Sequence, residues 1–259
     1  MKYVRSLLKN IYNSNILVFV RNRTGIRPTR YTSFEKVKSG SSISDAFLWR
    51  TDQGYETKFK FTDLPKLYFN DVTSQVKILI YSNDNKQIKK IMINNIDSSN
   101  ELIINKKLLE GLESYGTFYV FHSYNSKNQK SDISINNRCY TGYSKNGCYS
   151  SFVHGNLPAL YETNSNYFTD IVKNTIFKNQ NYVIQNNFSE FDYTELLFCN
   201  PTSEKIYISV NQSNFYLNSH SSKLIKQNRT DKIHIKSNCY FVRPVIFTYK
   251  GAFYDVYHS

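Results

Sequence analysis

The sequence predicts an all-β protein of the antiparallel β-sandwich type, with material for two tandem sandwich units, preceded by a short basic helical arm. Three observations carry this expectation. Alanine occurs only three times, at Ala46, Ala159 and Ala252, while the chain holds 22 Tyr and 18 Phe, so the best helix former is scarce and strand formers abound. From Ser39 onward, short apolar stretches alternate with period two and are separated by clusters of Asn, Ser, Asp and Gly. Five of the nine arginines fall in the first 30 residues; with Lys2 and Lys9 they make seven cations, and no carboxylate precedes Glu35.

With 259 residues, 40% of them hydrophobic, the chain can bury one large core or two small ones. Aromatic content of 16% excludes a globally disordered chain. The net charge of +13 invites polyanions, but Lys, Asn, Ile, Tyr and Phe are also the residues an AT-rich genome favours. Arginine placement is therefore the more discriminating signal.

Residues 1–38 read as the arm. Val4, Leu7, Leu8 and Ile11 stand at i, i+3, i+4 and i+7, an amphipathic helix with Lys2, Arg5 and Lys9 off the apolar stripe. Such a helix either lies on an anionic membrane or covers a sheet edge of its own domain. Arg21, Arg23, Arg27 and Arg30 are its candidate anion-binding residues, toward a membrane surface or nucleic acid. The longest apolar run, 16–20, is far short of the ~20 residues that cross a bilayer. No secretory cleavage pattern follows it, so the expectation is a cytoplasmic protein without a transmembrane segment, peripheral to a membrane where the arm engages one.

Residues 39–161 read as a first β domain. Residues 47–50, a turn at 51–54, and Tyr55, Thr57, Phe59 and Phe61 alternating with Glu56, Lys58 and Lys60 predict a hairpin with one aromatic face. Val76, Ile78 and Ile80 alternate again, a turn cluster occupies 82–85, and strands are expected at 88–93, 101–105 and 117–123, with a short helix at 106–112. The stretch 133–161 reads as strands bent at Gly142, Gly147 and Gly155. Residues 162–192, rich in Asn and poor in periodicity, read as a linker or long connection with a short helix near 166–174. Residues 193–259 form a second β unit, with strands at 193–199, 205–210, 222–226, 232–236, 239–249 and 252–258. The order of events in 75–124 recurs in 203–249, which a duplicated unit or the biased composition alone would explain.

Phosphate loops, dinucleotide fingerprints, nucleophile elbows and zinc-protease helices are missing from the sequence, which disfavours a nucleotide-dependent enzyme of familiar fold. The four cysteines lack CxxC spacing and paired histidines, so neither a metal nor a cofactor is expected, and each reads as a reduced, buried thiol. The best local candidate is His154 with Asn156, flanking Gly155 at the end of an apolar strand. Arg50, Arg138 and Arg243 each sit in an aromatic stretch, where a guanidinium can stack on a ring or fork onto an anion. Trp49 and Tyr143 complete the candidate ligand-binding set, although a lone Trp in a β protein is more often core. The resulting expectation is a non-enzymatic binding protein for a glycan or other polar or anionic ligand, in surface-polysaccharide metabolism. Two alternatives stand beside it: an enzyme acting on a sugar or phosphorylated metabolite with His154 as acid/base, and a structural or nucleic-acid-associated protein using the basic arm.

Overall fold

The structure, a computed structural model, describes residues 2–26, 41–94, 96, 99–123, 135–137, 139–155, 158–162, 167–185, 191–240 and 242–258. Helix α1 (Lys2–Tyr12) is the one the apolar stripe predicts. Helix α2 (Asn15–Thr24) follows after a two-residue break: the Ser14 side chain accepts from the Leu17 N–H, and Gly25 closes the helix at φ 74°. A Cβ on Gly25 would lie 2.4 Å from the carbonyl oxygen of Lys178, so glycine here also permits the close approach that docks α2 on the body.

The strands, in chain order, are β1 (Ser42–Asp45), β2 (Phe47–Arg50), β3 (Tyr55–Thr62), β4 (Gln75–Ser82), β5 (Gln87–Asn94), β6 (Ser99–Ile104) and β7 (Tyr115–Ser123). There follow β8 (Ile135–Asn137), β9 (Tyr140–Lys145), β10 (Ser151–His154), β11 (Pro158–Glu162), β12 (Phe168–Asp170) and β13 (Gln180–Gln185). The C-terminal set is β14 (Tyr193–Cys199), β15 (Ile206–Val210), β16 (Ser213–Leu217), β17 (Ser222–Asn228), β18 (Lys232–Ser237), β19 (Val245–Lys250) and β20 (Phe253–His258). A short α3 (Leu64–Phe69) separates β3 from β4, capped by the Asp63 side chain and ended by Asn70 at φ 53°. Among the described residues strand outweighs helix, 54% against 13%, as an all-β chain requires.

These strands make five four-stranded sheets: β12-β11-β1-β8, β2-β7-β4-β5, β10-β9-β3-β6, β13-β18-β15-β16 and β17-β14-β19-β20, called here the first to fifth blades. Every pairing is antiparallel except that of β1 with β8. The blades are arranged as a five-bladed β-propeller, and the expected sandwich is not formed. The physical reason is visible in the burial. A sandwich covers one face of each sheet, but the second and fifth blades are covered on both. Val76, Ile78, Ile80, Phe118 and Val120 face a core shared with the third blade, whereas Leu79, Tyr119 and Phe121 face a core shared with the fifth. Leu196, Phe198 and Ile246 face the fourth blade, while Leu197, Val245 and Phe247 join that same middle core. The third and fourth blades each keep one face toward solvent, and there the period-two alternation survives.

Several local expectations change accordingly. β2 and β3 do not pair as a hairpin: β2 joins β7, and β3 lies between β6 and β9. The Thr57 hydroxyl takes the place of a ladder between them, accepting from the Arg50 N–H at 2.8 Å and donating to its carbonyl at 3.0 Å. Residues 106–112 form a run of turns instead of a helix, with Glu110 at φ 57° and Gly111 at φ 91°. The 162–192 stretch supplies edge strands β12 and β13 to two blades, and β12 stands where a helix was expected. Gly142 lies inside β9 and bends nothing. The repeated order of events is not a duplicated unit, because β4 and the aromatic β7 share a sheet whereas β15 and the aromatic β19 belong to different ones. No disulfide joins Cys139, Cys148, Cys199 or Cys239; Cys148 is exposed, and burial pushes the thiols of Cys139 and Cys199 up to about 12. Among the described residues no helix is long and apolar enough to cross a membrane.

Candidate functional site

The outward face of the third blade is built by register. On β3, Tyr55, Thr57, Phe59 and Phe61 point inward, which turns Glu56, Lys58 and Lys60 outward. Lys60 lies opposite Tyr140 of β9 and Glu101 of β6, and Lys58 lies opposite Gly142. Gly142 in turn faces Phe152, and Tyr140 faces His154. Opposed residues share a face, so Lys58, Lys60, Glu101, Tyr140, Phe152 and His154 stand on one surface.

Gly142 is what lets this surface close up. A Cβ there would meet the Phe152 ring at 2.5 Å, so the ring occupies the space a side chain would need. Lys60 Nζ sits 5.0 Å from the centre of that ring and 3.8 Å from Glu101. The turn between β9 and β10 adds Cys148, Ser150 and Tyr149, the last 99% exposed. Together these residues line an open groove of about 750 Å³. The His154 ring packs on Tyr140 at 4.5 Å between centres and continues the aromatic surface beyond the groove. Two ammonium groups, one of them paired with the Glu101 carboxylate, a hydroxyl and exposed rings thus share one surface, chemistry suited to meeting polar groups and flat faces together.

The residues expected to bind ligand are distributed unevenly around it. His154 is exposed at the edge of this face. Arg243 is exposed as well, and its charge and that of His154 act in the same direction as burial, the largest cause, in holding the His258 imidazole below the usual histidine value. Tyr143 points the other way, fully buried, with its hydroxyl donating to the Leu48 carbonyl at 2.8 Å. Tyr143 and His154 do line one gap with Ala46 and His258, but it is too tight to admit water. Trp49 is fully buried in the core between the second and third blades, its indole N–H donating to the Tyr81 carbonyl at 2.8 Å. Arg138 and Asn156, like Arg27 and Arg30 of the arm, lie outside the described residues.

Arg50 belongs to an interior ionic cluster. Its Nε and Nη2 donate to the two carboxylate oxygens of Asp52 at 2.8 and 2.9 Å, and its Nη1 donates to Glu195 at 2.7 Å. The Tyr249 hydroxyl donates to the same Glu195 oxygen at 2.6 Å and receives one from Tyr55 at 2.7 Å. The guanidinium also lies 4.3 Å over Tyr55 and 4.7 Å over Phe247. Burial alone would lower the Arg50 value, but its bonds to Asp52 and the charges around it hold it well above the ordinary arginine value. Burial likewise works against Glu195, and the Arg50 charge overrides it, holding the carboxyl below its usual range. The cluster ties β2 to β14 and β19, and Arg50 offers nothing to solvent.

In the arm, Arg23 forks onto Glu204 at 2.7 and 2.8 Å, and Arg21 is buried with its guanidinium 3.8 Å over Tyr12. Both therefore hold the arm together and to the body. Lys58, Lys60 and Phe152 are not among the ligand-binding candidates the sequence offers, although the alternation that puts Phe59 and Phe61 inside already places both lysines outside. No group of histidine, cysteine and carboxylate side chains able to hold a metal occurs among the described residues. No family model, curated protein or solved structure matches the chain, so any functional reading rests on the chemistry of its own surfaces.

Proposed function

We propose that the protein is a binding protein, and that it takes an acidic glycan along the outward face of the third blade. The observation that carries this reading is the groove in which Lys58 and Lys60 stand beside the rings of Phe152 and Tyr149. An acidic sugar presents a flat, partly apolar ring together with a carboxylate or sulfate. Ring faces and ammonium groups side by side match both features, and Ser150 supplies a further hydrogen bond. An enzyme using His154 as acid/base would need a carboxylate or reacting group against that imidazole; the ring of Tyr140 packs there instead. A role in surface-polysaccharide metabolism is consistent with such a ligand.

The test is calorimetric titration of the full chain with uronic-acid oligosaccharides and with neutral oligosaccharides of equal length. Binding of the acidic series is expected, weakened about tenfold or more by Lys58→Gln with Lys60→Gln and by Phe152→Ala, and falling with added salt. His154→Ala is expected to weaken binding less while changing stability by under about 1 kcal/mol, as for an exposed side chain. Equal binding of neutral and acidic sugars, or indifference to the lysine pair, would overturn the reading.

A further inference from the structure

We infer that the α1–α2 pair is a membrane-surface anchor that lays its apolar side into an anionic bilayer, independently of the ligand groove. In α1, Val4, Leu7, Leu8 and Ile11 are 58%, 53%, 59% and 50% exposed, although their spacing makes one continuous stripe. In α2, Ile16, Phe19 and Val20 repeat the pattern at i, i+3 and i+4, with 76%, 58% and 43% exposure. The opposite side of α2 holds Val18 and Arg21, which are buried. Tyr12 and Arg21 clamp the two helices together, and Arg23 on Glu204 with Gly25 against Lys178 clamps α2 to the body. The pair is thus held by one end while its apolar side is left open.

An 11-residue helix that touches little of its own protein is marginal in water, so the amphipathic design of α1 calls for a surface to complete it. Charge identifies that surface. Arg5 and Lys9 flank the stripe, both exposed, and the first 34 residues contain no carboxylate. A second copy of the chain would bring like charges together, at +13 on each, and nucleic acid would leave the apolar stripe uncovered. A bilayer of anionic phospholipid satisfies both the stripe and the cations.

The test uses the full chain in co-sedimentation with phosphatidylcholine vesicles, with and without phosphatidylglycerol. Binding to the anionic vesicles and not to the neutral ones is expected, with a rise in helical circular dichroism as α1 is stabilised. Leu7→Glu with Leu8→Glu should abolish sedimentation without moving the melting temperature, because these side chains do not pack on the body. Arg5→Gln with Lys9→Gln should lower the partition coefficient about tenfold at low salt. Failure to bind anionic vesicles overturns the inference, and so does binding that survives the leucine substitutions, since the body's charge would then suffice. A dimeric wild type made monomeric by those substitutions overturns it in favour of self-association. The Lys58 and Lys60 variants should bind vesicles like the wild type, which keeps this result separate from that of the glycan reading.

Discussion

Arg50, itself fully buried, neutralises carboxylates from two parts of the chain. Removing it strands Glu195, which is 4% exposed, beside Asp52. Breaking a buried pair by deleting one partner typically costs about 3–5 kcal/mol, whereas replacing both partners by neutral groups costs less. Arg50→Met is therefore expected to lower unfolding free energy in urea by about that amount, and adding Glu195→Gln should return part of it. A double variant as unstable as the sum of the singles would show that the two groups do not act as a pair. A second residue, Asp170, reports on pH. Burial would raise its carboxyl, but hydrogen bonds from His220 and Ser203 override this and hold it at about 2, below the ordinary 3.8. A depressed carboxylate stabilises the fold above its unfolded value and loses that contribution as pH falls through the folded one. Acid unfolding of the wild type should therefore include a loss between about pH 4 and 2 that Asp170→Asn removes, measured as melting temperature against pH.

At the scale of elements, the strands and turns were legible wherever one face of a sheet meets water. β3 and β18 alternate cleanly because their outward residues are Lys, Glu and His, and β5 follows its Ser82 to Asn85 turn as expected. Strands buried on both faces carry a different signal, a continuous apolar run such as Leu196, Leu197 and Phe198, and this signal marks layers beyond two. Pairing was not legible, because β2 ladders with β7, with β3 to β6 intervening in sequence, and not with the adjacent β3. The caps of two helices stand in the sequence: Ser14 with Gly25 for α2, and Asp63 with Asn70 for α3. The candidate site was half legible for a related reason. His154 stands at the edge of the proposed face, but the lysines and Phe152 become neighbours only through the β3-β9-β10 register. Gly116 tests how tightly two strands are matched. It lies opposite Trp49, and a Cβ would stand 2.1 Å from the Tyr81 carbonyl oxygen and 2.7 Å from the indole nitrogen. Gly116→Ala should destabilise by about 1–3 kcal/mol and red-shift Trp49 fluorescence as the indole hydrogen bond is displaced. An unchanged spectrum would mean that the strands yield without cost.

Across the whole molecule, the two β units suggested by the sequence share their middle core. Leu48, Tyr55, Tyr119 and Tyr143 from the N-terminal half pack with Leu197, Val245, Phe247 and Val256 from the C-terminal half. The Arg50 to Glu195 pair crosses the same boundary, and Asp170 bonds to His220 across another part of it. A boundary that holds both an apolar core and desolvated charges cannot open without exposing them, so the halves should unfold as one cooperative unit. Trp49 is the sole tryptophan and lies in the N-terminal core between the second and third blades, so its fluorescence reports that half alone. Far-UV circular dichroism reports the strands of all five blades. The two urea transitions are expected to coincide. A sharper version places the perturbation far from the probe: Ile208, fully buried between the fourth and fifth blades, shares no core with Trp49. Ile208→Ala should cost about 2–5 kcal/mol through the cavity it leaves. In a single cooperative unit that loss must appear in full as a lower urea midpoint of Trp49 fluorescence. If instead the dichroism splits into two steps while the Trp49 midpoint stays fixed, the halves fold independently and the shared core is only an interface between them.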